Sequence, residues 1–344
     1  MNAKTLVFLL AIVPVSAPAA TQPARIALPV TTDSDISVEN LVGSMTIVAG
    51  DGDEVVIEVD RIGATDELAQ SITLQHRVHG DNIEVWVEYP NNRYVYKPER
   101  GSHNTTATYR GKRIRVESRG RGDEVHADVR VTLPHGVEFE AHNVVGPLDA
   151  DGLRGEISLR TSSGRVTAAN GRGEWTVRSG SGRLDISNFE GDLDARTGSG
   201  GIELANVSGE IEANTGSGGI DATVVGGEIE MGTGSGSIRV SDLTGGGDFE
   251  ATTGSGSIQV AGDLSKVRDL VMRTGSGSIT IRASGVPNVK LVARTGSGGV
   301  DVDVPGMTSV TVKRNRVEAT IGTGEGNASL RTGSGSIKFT SDGR

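Results

Sequence analysis

The sequence predicts an all-β chain wound as a single parallel β-solenoid, on three observations: a recurring glycine-rich phrase, a near-constant spacing, and strand-like alternation between the phrases. The phrase Thr197-Gly198-Ser199-Gly200 returns at Thr215, Thr233, Thr253, Thr274, Thr295 and Thr332, with related corners at Thr161 and Ser179. From Thr161 to Thr233 each step is 18 residues; the next steps are 20, 21 and 21, and the last is 37. A short fixed period marks a fold of stacked repeats, here about ten regular coils of 18 to 21 residues. After Gly191, residues Leu193, Ala195, Ile202 and Leu204 keep period two, the signature of a half-buried strand.

Glycine weakens a strand but suits a corner that needs positive φ. Each unit therefore reads as strand, Thr-Gly-Ser-Gly corner, strand, and a second corner at Gly173, Gly191, Gly209 or Gly227. One such unit cannot bury its own apolar side chains, so stability has to come from neighbours above and below. Ile202, Ile220, Ile238 and Ile258 are accordingly expected one over another in the interior, with rungs ~4.8 Å apart.

Residues 1–19 read as a signal peptide: Lys4 supplies the positive start, Leu6 to Val15 the apolar core, and Ala17-Pro18-Ala19 an A-x-A cleavage site. The expected destination is outside the cytoplasm, in the periplasm, the extracellular space or the cell surface. The apolar run is too short to cross a bilayer, and nothing after it predicts a transmembrane segment. With no cysteine, the chain has neither a disulfide framework nor a lipid-attachment thiol. A net charge of -10 argues against nucleic acid as a partner.

Residues 20–136 read as a wider, irregular β part that also covers the N-terminal end of the solenoid, since an open sheet edge invites association. Its one helix-like piece is Thr65-Asp66-Glu67-Leu68-Ala69-Gln70. Within it, residues 91–123 form a basic insertion. From Arg93 to Arg121, the basic residues Arg93, Lys97, Arg100, Arg110, Lys112, Arg113, Arg115, Arg119 and Arg121 face only Glu99 and Glu117, with Tyr94, Tyr96 and Tyr109 interleaved. Guanidinium forks suit phosphate and carboxylate, and aromatic faces suit sugar rings. Arg93, Tyr94, Tyr96, Lys97, Tyr109, Arg110, Lys112, Arg113 and Arg115 are therefore the candidate binding residues, for anionic glycan, lipid head groups or envelope proteins. The competing reading is a solvated insertion that balances acidic neighbours.

Residues 137–344 form the regular solenoid. Asn143-Val144-Val145-Gly146 precedes Thr161 by eighteen residues, and Asn40-Leu41-Val42-Gly43 has the same shape, so the pattern extends backward. The 37-residue gap before Thr332 is filled in this reading by one further coil, its corner drifted to Lys313-Arg314-Asn315-Arg316.

The opening Val38-Glu39-Asn40 and Gly43-Ser44-Met45-Thr46-Ile47, the following Val55-Val56-Ile57-Glu58-Val59, the later Val129-Arg130-Val131-Thr132-Leu133-Pro134-His135-Gly136-Val137, and the Ser/Thr-Gly-Ser-Gly coils after it carry a resemblance. Over about residues 25–340 the chain resembles the bacterial putative-adhesin family of envelope β-solenoid domains of unknown function. The resemblance implies a parallel β-helix outside the cytoplasm, with adhesion proposed from shape. It brings no catalytic residues and no cofactor. The basic insertion and the lack of an anchoring segment depart from a simple surface adhesin.

Other chemistries fit less well. The Gly-Ser-Gly corners lack the Gly-Lys-Ser/Thr and the helix of a phosphate-cradling loop. Acidic columns run along the strands, at Glu156, Glu174, Asp192, Glu210, Glu228 and Asp248, and at Asp194, Glu212, Glu230 and Glu250. Arg160, Arg178 and Arg196 offset the second column early, but Asn214, Gly232 and Thr252 follow them, leaving Glu212, Glu230 and Glu250 as the only metal candidates. A polysaccharide-processing enzyme on this scaffold would need off-pattern carboxylates converging on a groove, whereas these recur in phase. A purely structural spacer is the remaining alternative. The expectation is a non-enzymatic interaction module.

Overall fold

A computed structural model describes residues 23–97 and 104–342 of the chain. The expected leader at 1–19, with Glu99 and Arg100 of the basic segment, lies outside the described residues. The fold is all-β and mostly parallel, with one short helix at Asp66–Ser71 capped by Thr65, whose hydroxyl accepts the Leu68 amide. Each central turn of chain is a single bent strand, as in Leu184–Thr197 and Ile202–Thr215, followed by a sharp corner.

Two parallel ladders enclose a narrow core. In one, Leu184, Ile202, Ile220, Ile238 and Ile258 lie in register, all at most 2% exposed. In the other, Trp175, Leu193, Ile211, Ile229 and Phe249 do the same. One apolar cluster runs from Ile36 to Phe339. The inward columns are those that period-two alternation predicts.

The corners need glycine for a different reason from the one expected. The glycines of the Thr-Gly-Ser-Gly phrase do not have positive φ; they are pressed against the rung below. A Cβ at Gly218 would sit 1.9 Å from the Gly200 carbonyl oxygen. Left-handed backbone falls instead at the bend within each strand. There the glycine that was expected, such as Gly209 at φ +129, is preceded by a second left-handed position. That position holds Asn170, Asn188, Asn206, Val224 and Asp242 in successive turns. Asparagine tolerates this conformation better than other non-glycine residues. Its amides also bond rung to rung, Asn188 to Asn170 at 3.0 Å and Asn206 to Asn188 at 2.9 Å.

Rungs do not follow chain order at either end. The first turn, Asp35–Val42 and Met45–Gly50, lies one rung in, between Glu138–Val145 and Leu148–Asp151 on one side and Asn82–Glu88 and Asp123–Pro134 on the other. Antiparallel strands then close that end, Thr73–His79 on Asn82–Glu88 and Glu54–Gly63 on Asp123–Pro134.

At the other end the final strands, Gly326–Thr332 and Ile337–Ser341, insert between the rung of Asp269–Thr274 and that of Val289–Thr295. The proposed corner at Lys313–Arg316 is therefore not a corner. It is the tight turn of an antiparallel hairpin, Met307–Lys313 with Arg316–Ile321, which covers the outermost rung. The segment has neither the buried threonine nor the glycines that let a corner approach its neighbour. Consequently Val310 and Val312 are exposed while Val317, Ala319 and Ile321 are buried.

Candidate anion-binding site

The basic segment forms a small sheet laid against the N-terminal rung: Asn104–Tyr109 antiparallel to Lys112–Glu117, then Arg93–Val95, then the start of Asp123–Pro134. Arg110 and Gly111, at φ 47 and 77, make the hairpin turn, the pairing of positive φ values that two-residue hairpins favour. Alternation along Lys112–Glu117 turns Ile114 and Val116 inward and leaves Arg113 and Arg115 on the outer face. Arg93 lies directly opposite Arg115, and Thr106 and Thr108 lie opposite Arg115 and Arg113 on the other side. The outer face is thus built of arginine and threonine. Arg115 pairs with Glu117 at 2.7 Å. Among the described residues, Arg93 and Arg113 have no carboxylate at ion-pair distance.

The other candidates have different duties. Tyr94 and Tyr109 are at most 4% exposed and pack edge to face with Tyr89, at centroid distances of 5.4 Å for Tyr94 and 6.2 Å for Tyr109. Their rings anchor the sheet and cannot stack on a sugar, which corrects the expectation for these two residues. Burial is satisfied by hydrogen bonds from Tyr109 to the Val87 carbonyl at 2.6 Å and from Tyr89 to Asn40 Oδ1 at 2.9 Å. Burial also pushes the Tyr94 hydroxyl up to about 12 and those of Tyr89 and Tyr109 well above the ordinary phenol value. Tyr96 is half-buried, 5.2 Å from the His126 ring.

Arg110 stacks 4.2 Å over Trp86 and reaches Glu39 at 3.5 Å and Glu84 at 3.7 Å. Lys112 pairs with Glu88 at 3.0 Å and Lys97 with Glu124 at 2.7 Å. These three cations fasten the insertion to the scaffold. Trp86 and the two threonines were not singled out from the sequence. Trp86 was detectable, since it falls out of phase with buried Ile83, Val85 and Val87 and so faces outward.

The acidic flank is real but does not assemble a metal site. Glu156, Glu174, Asp192, Glu210 and Glu228 stand in register. At the head of this column, repulsion from Glu156, with a smaller effect of desolvation, raises the Glu138 carboxyl above its usual range. Among the described residues no group of three or more His, Cys, Asp or Glu side chains is placed to hold a metal ion. Glu212 is taken by Arg196 at 2.6 Å and Asn214 at 2.8 Å, and Glu250 by Arg273 at 2.5 Å. Arginine side chains reach across one rung to the next, so compensation extends further along the column than residue spacing implied. Among the described residues no helix is long and apolar enough to cross a membrane.

Residues 226–340 match the family model described as Toastrack DUF4097. A solved structure described as a putative adhesin from Parabacteroides merdae is 10% identical, with a TM-score of 0.31 over 92% of this chain and 95% of that chain. One described as a putative lipid binding protein from Parabacteroides distasonis is 10% identical, with a TM-score of 0.31 over 92% and 96%. A third, described as a putative cell adhesion protein from Clostridium sporogenes, is 9% identical, with a TM-score of 0.17 over 93% and 100%. None of the curated proteins matches the chain.

Proposed function

We propose that this chain, which carries a Toastrack DUF4097 domain over residues 226–340, is exported through its leader and acts without catalysis as an adhesin or envelope interaction module. Its contact for anionic glycans or other anionic surface groups is the outer face of the small sheet. The observation that carries this reading is the apposition of Arg93 and Arg115 beside Arg113, with two of the three lacking a carboxylate partner among the described residues. Like charges placed directly across strands destabilise a sheet, and an anion bridging them reverses that cost. Thr106 and Thr108 add hydroxyl donors on the same face. The A-x-A motif after an apolar run supports export.

The test is binding of the mature chain to purified envelope polysaccharide at low and moderate salt. Replacing Arg93, Arg113 and Arg115 with alanine should abolish most of the binding, and added salt should weaken what the intact chain shows. Replacing Arg110 and Lys112 instead should act chiefly on the stability of the insertion. Binding that survives the triple replacement at low salt removes this face from the assignment.

A further inference from the structure

We propose that the opposite end of the solenoid carries a second, independent oxyanion site, for phosphate or sulfate esters, built by the row Arg273, Arg331, Arg294 and Arg316. These four arginines lie in register on four neighbouring strands: Arg273 opposite Arg331, Arg331 opposite Arg294, and Arg294 opposite Arg316. The row exists only because the final strand is intercalated, which sets Arg331 between two residues that precede it in the chain. Adjacent strands are ~4.8 Å apart, so the four arginines stand side by side across the sheet.

The rest of this face indicates that the row is not an ion-pair scaffold. In the middle rungs the column two residues before these arginines turns acidic at Asp194, before Arg196, and Arg178 and Arg196 are both paired to carboxylates there. Along the C-terminal row the same column holds Val271, Ser329 and Val292, between Glu250 at one end and Glu318 at the other. Carboxylates stand only at the two ends of this column, and its centre, beside Arg331 and Arg294, has none. Arg273 reaches back to Glu250 and Arg316 pairs with Glu318, yet among the described residues Arg331 and Arg294 have no ion pair, and Arg316 Nε has no hydrogen-bond partner.

Arg294, Arg331 and Arg316 line a cavity of about 410 Å³ together with Asn315 and the corner residues Gly296 and Gly333. That volume falls in the range of small-molecule sites. A carboxylate is satisfied by one guanidinium fork, whereas a phosphate or sulfate ester offers at least three acceptor oxygens to donors arriving from separate strands. The same group can come from a soluble glycan or from a lipid head group.

The experiment titrates the mature chain with inorganic phosphate, inorganic sulfate and a sugar phosphate by calorimetry. In parallel it is floated with neutral vesicles and with vesicles containing an anionic phospholipid. Saturable binding of at least one of these anions is expected, weakened about tenfold or more in R294Q/R331Q, the loss of roughly one forked contact. Retention only on anionic vesicles assigns the group to lipid, and uptake of the sugar phosphate in solution assigns it to glycan; either supports the site. If R294Q/R331Q loses its strand circular dichroism, R331K keeps the charge and removes the fork, and a several-fold loss is expected there too. No saturable binding by the intact chain, or binding unchanged in the folded variants, overturns the proposal. These variants share no residue with the Arg93, Arg113 and Arg115 set, so failure of either site is read separately.

Discussion

Thr215 donates its hydroxyl to the Gly200 carbonyl of the preceding rung at 2.8 Å, while the hydroxyl oxygen accepts the amide of Gly218 at 3.2 Å. Thr197, Thr233, Thr253 and Thr274 repeat the donated bond at 2.8 Å, and all of them are buried. The threonine of each phrase is thus an internal latch between rungs. Thr215→Val keeps the shape and removes both bonds, leaving a half-buried carbonyl and a half-buried amide without their side-chain partner. It is expected to cost about 1–3 kcal/mol, whereas Thr215→Ser should recover most of that. Chemical denaturation of the two variants checks the order.

Close approach rather than φ fixes the glycine at the same corner. Gly218→Ala would place a methyl 1.9 Å from the Gly200 oxygen, inside a backbone stack that cannot yield on one side alone. The expected loss is about 3 kcal/mol, at the upper end for overpacking. A methyl added at Gly299 would meet nothing within 4 Å, and φ there is not positive, so Gly299→Ala should be close to neutral. Equal effects of the two substitutions in thermal melts would refute the steric account.

The regular coils were legible because two signals coincide in them, period-two alternation and an eighteen-residue step, and the stacked isoleucines follow from the pair. The asparagine column was present at the same step but was obscured where Val224 interrupts it. Rung order was not legible. Ile337, Phe339 and the phrase at Thr332 look like any other coil, and nothing local says that they slot between earlier rungs. The basic segment was visible as charge. The duties of Arg110, Lys112 and Lys97 depend on Glu39, Glu84, Glu88 and Glu124, which strand pairing brings from elsewhere.

Val224 occupies the left-handed column at φ 53, a conformation that its β-branched side chain resists, and it is 37% exposed. Val224→Asn should stabilise the chain by about 1 kcal/mol, through relief of that strain. It also lets the new amide join the ladder at Asn206. A rise in the denaturation midpoint at unchanged slope is the expected result; a fall would show that the valine is held there by packing.

Alkaline pH should loosen the basic insertion first. Tyr94 is pushed up to about 12 by burial, with Asp123 and Glu88 adding to it, so the folded state holds this proton more tightly than the unfolded chain. Such a group contributes its full stability below the unfolded value near 10 and loses it as pH rises toward the folded value. Melting temperature should therefore fall between about pH 10 and 12. Tyr94→Phe, which cannot ionise, should flatten part of that fall, and an unchanged alkaline slope would contradict the assignment.

Intercalation makes the last coil structurally central. In a solenoid stacked in chain order, deleting the final coil removes one interface and leaves a shorter rod. Here deletion of residues 326–344 would strip the shared partner of Asp269–Thr274 and Val289–Thr295 and leave both facing a gap one rung wide. The Met307–Ile321 region would then cap a rung no longer joined to the stack. The truncated chain is expected to expose apolar surface to a reporter dye and to be cleaved by protease from about residue 284 onward, while the rungs before Thr253 stay protected. Protease resistance through Val289–Thr295 in the truncated chain would show instead that the outer rung closes directly onto Asp269–Thr274, and that the final coil is dispensable.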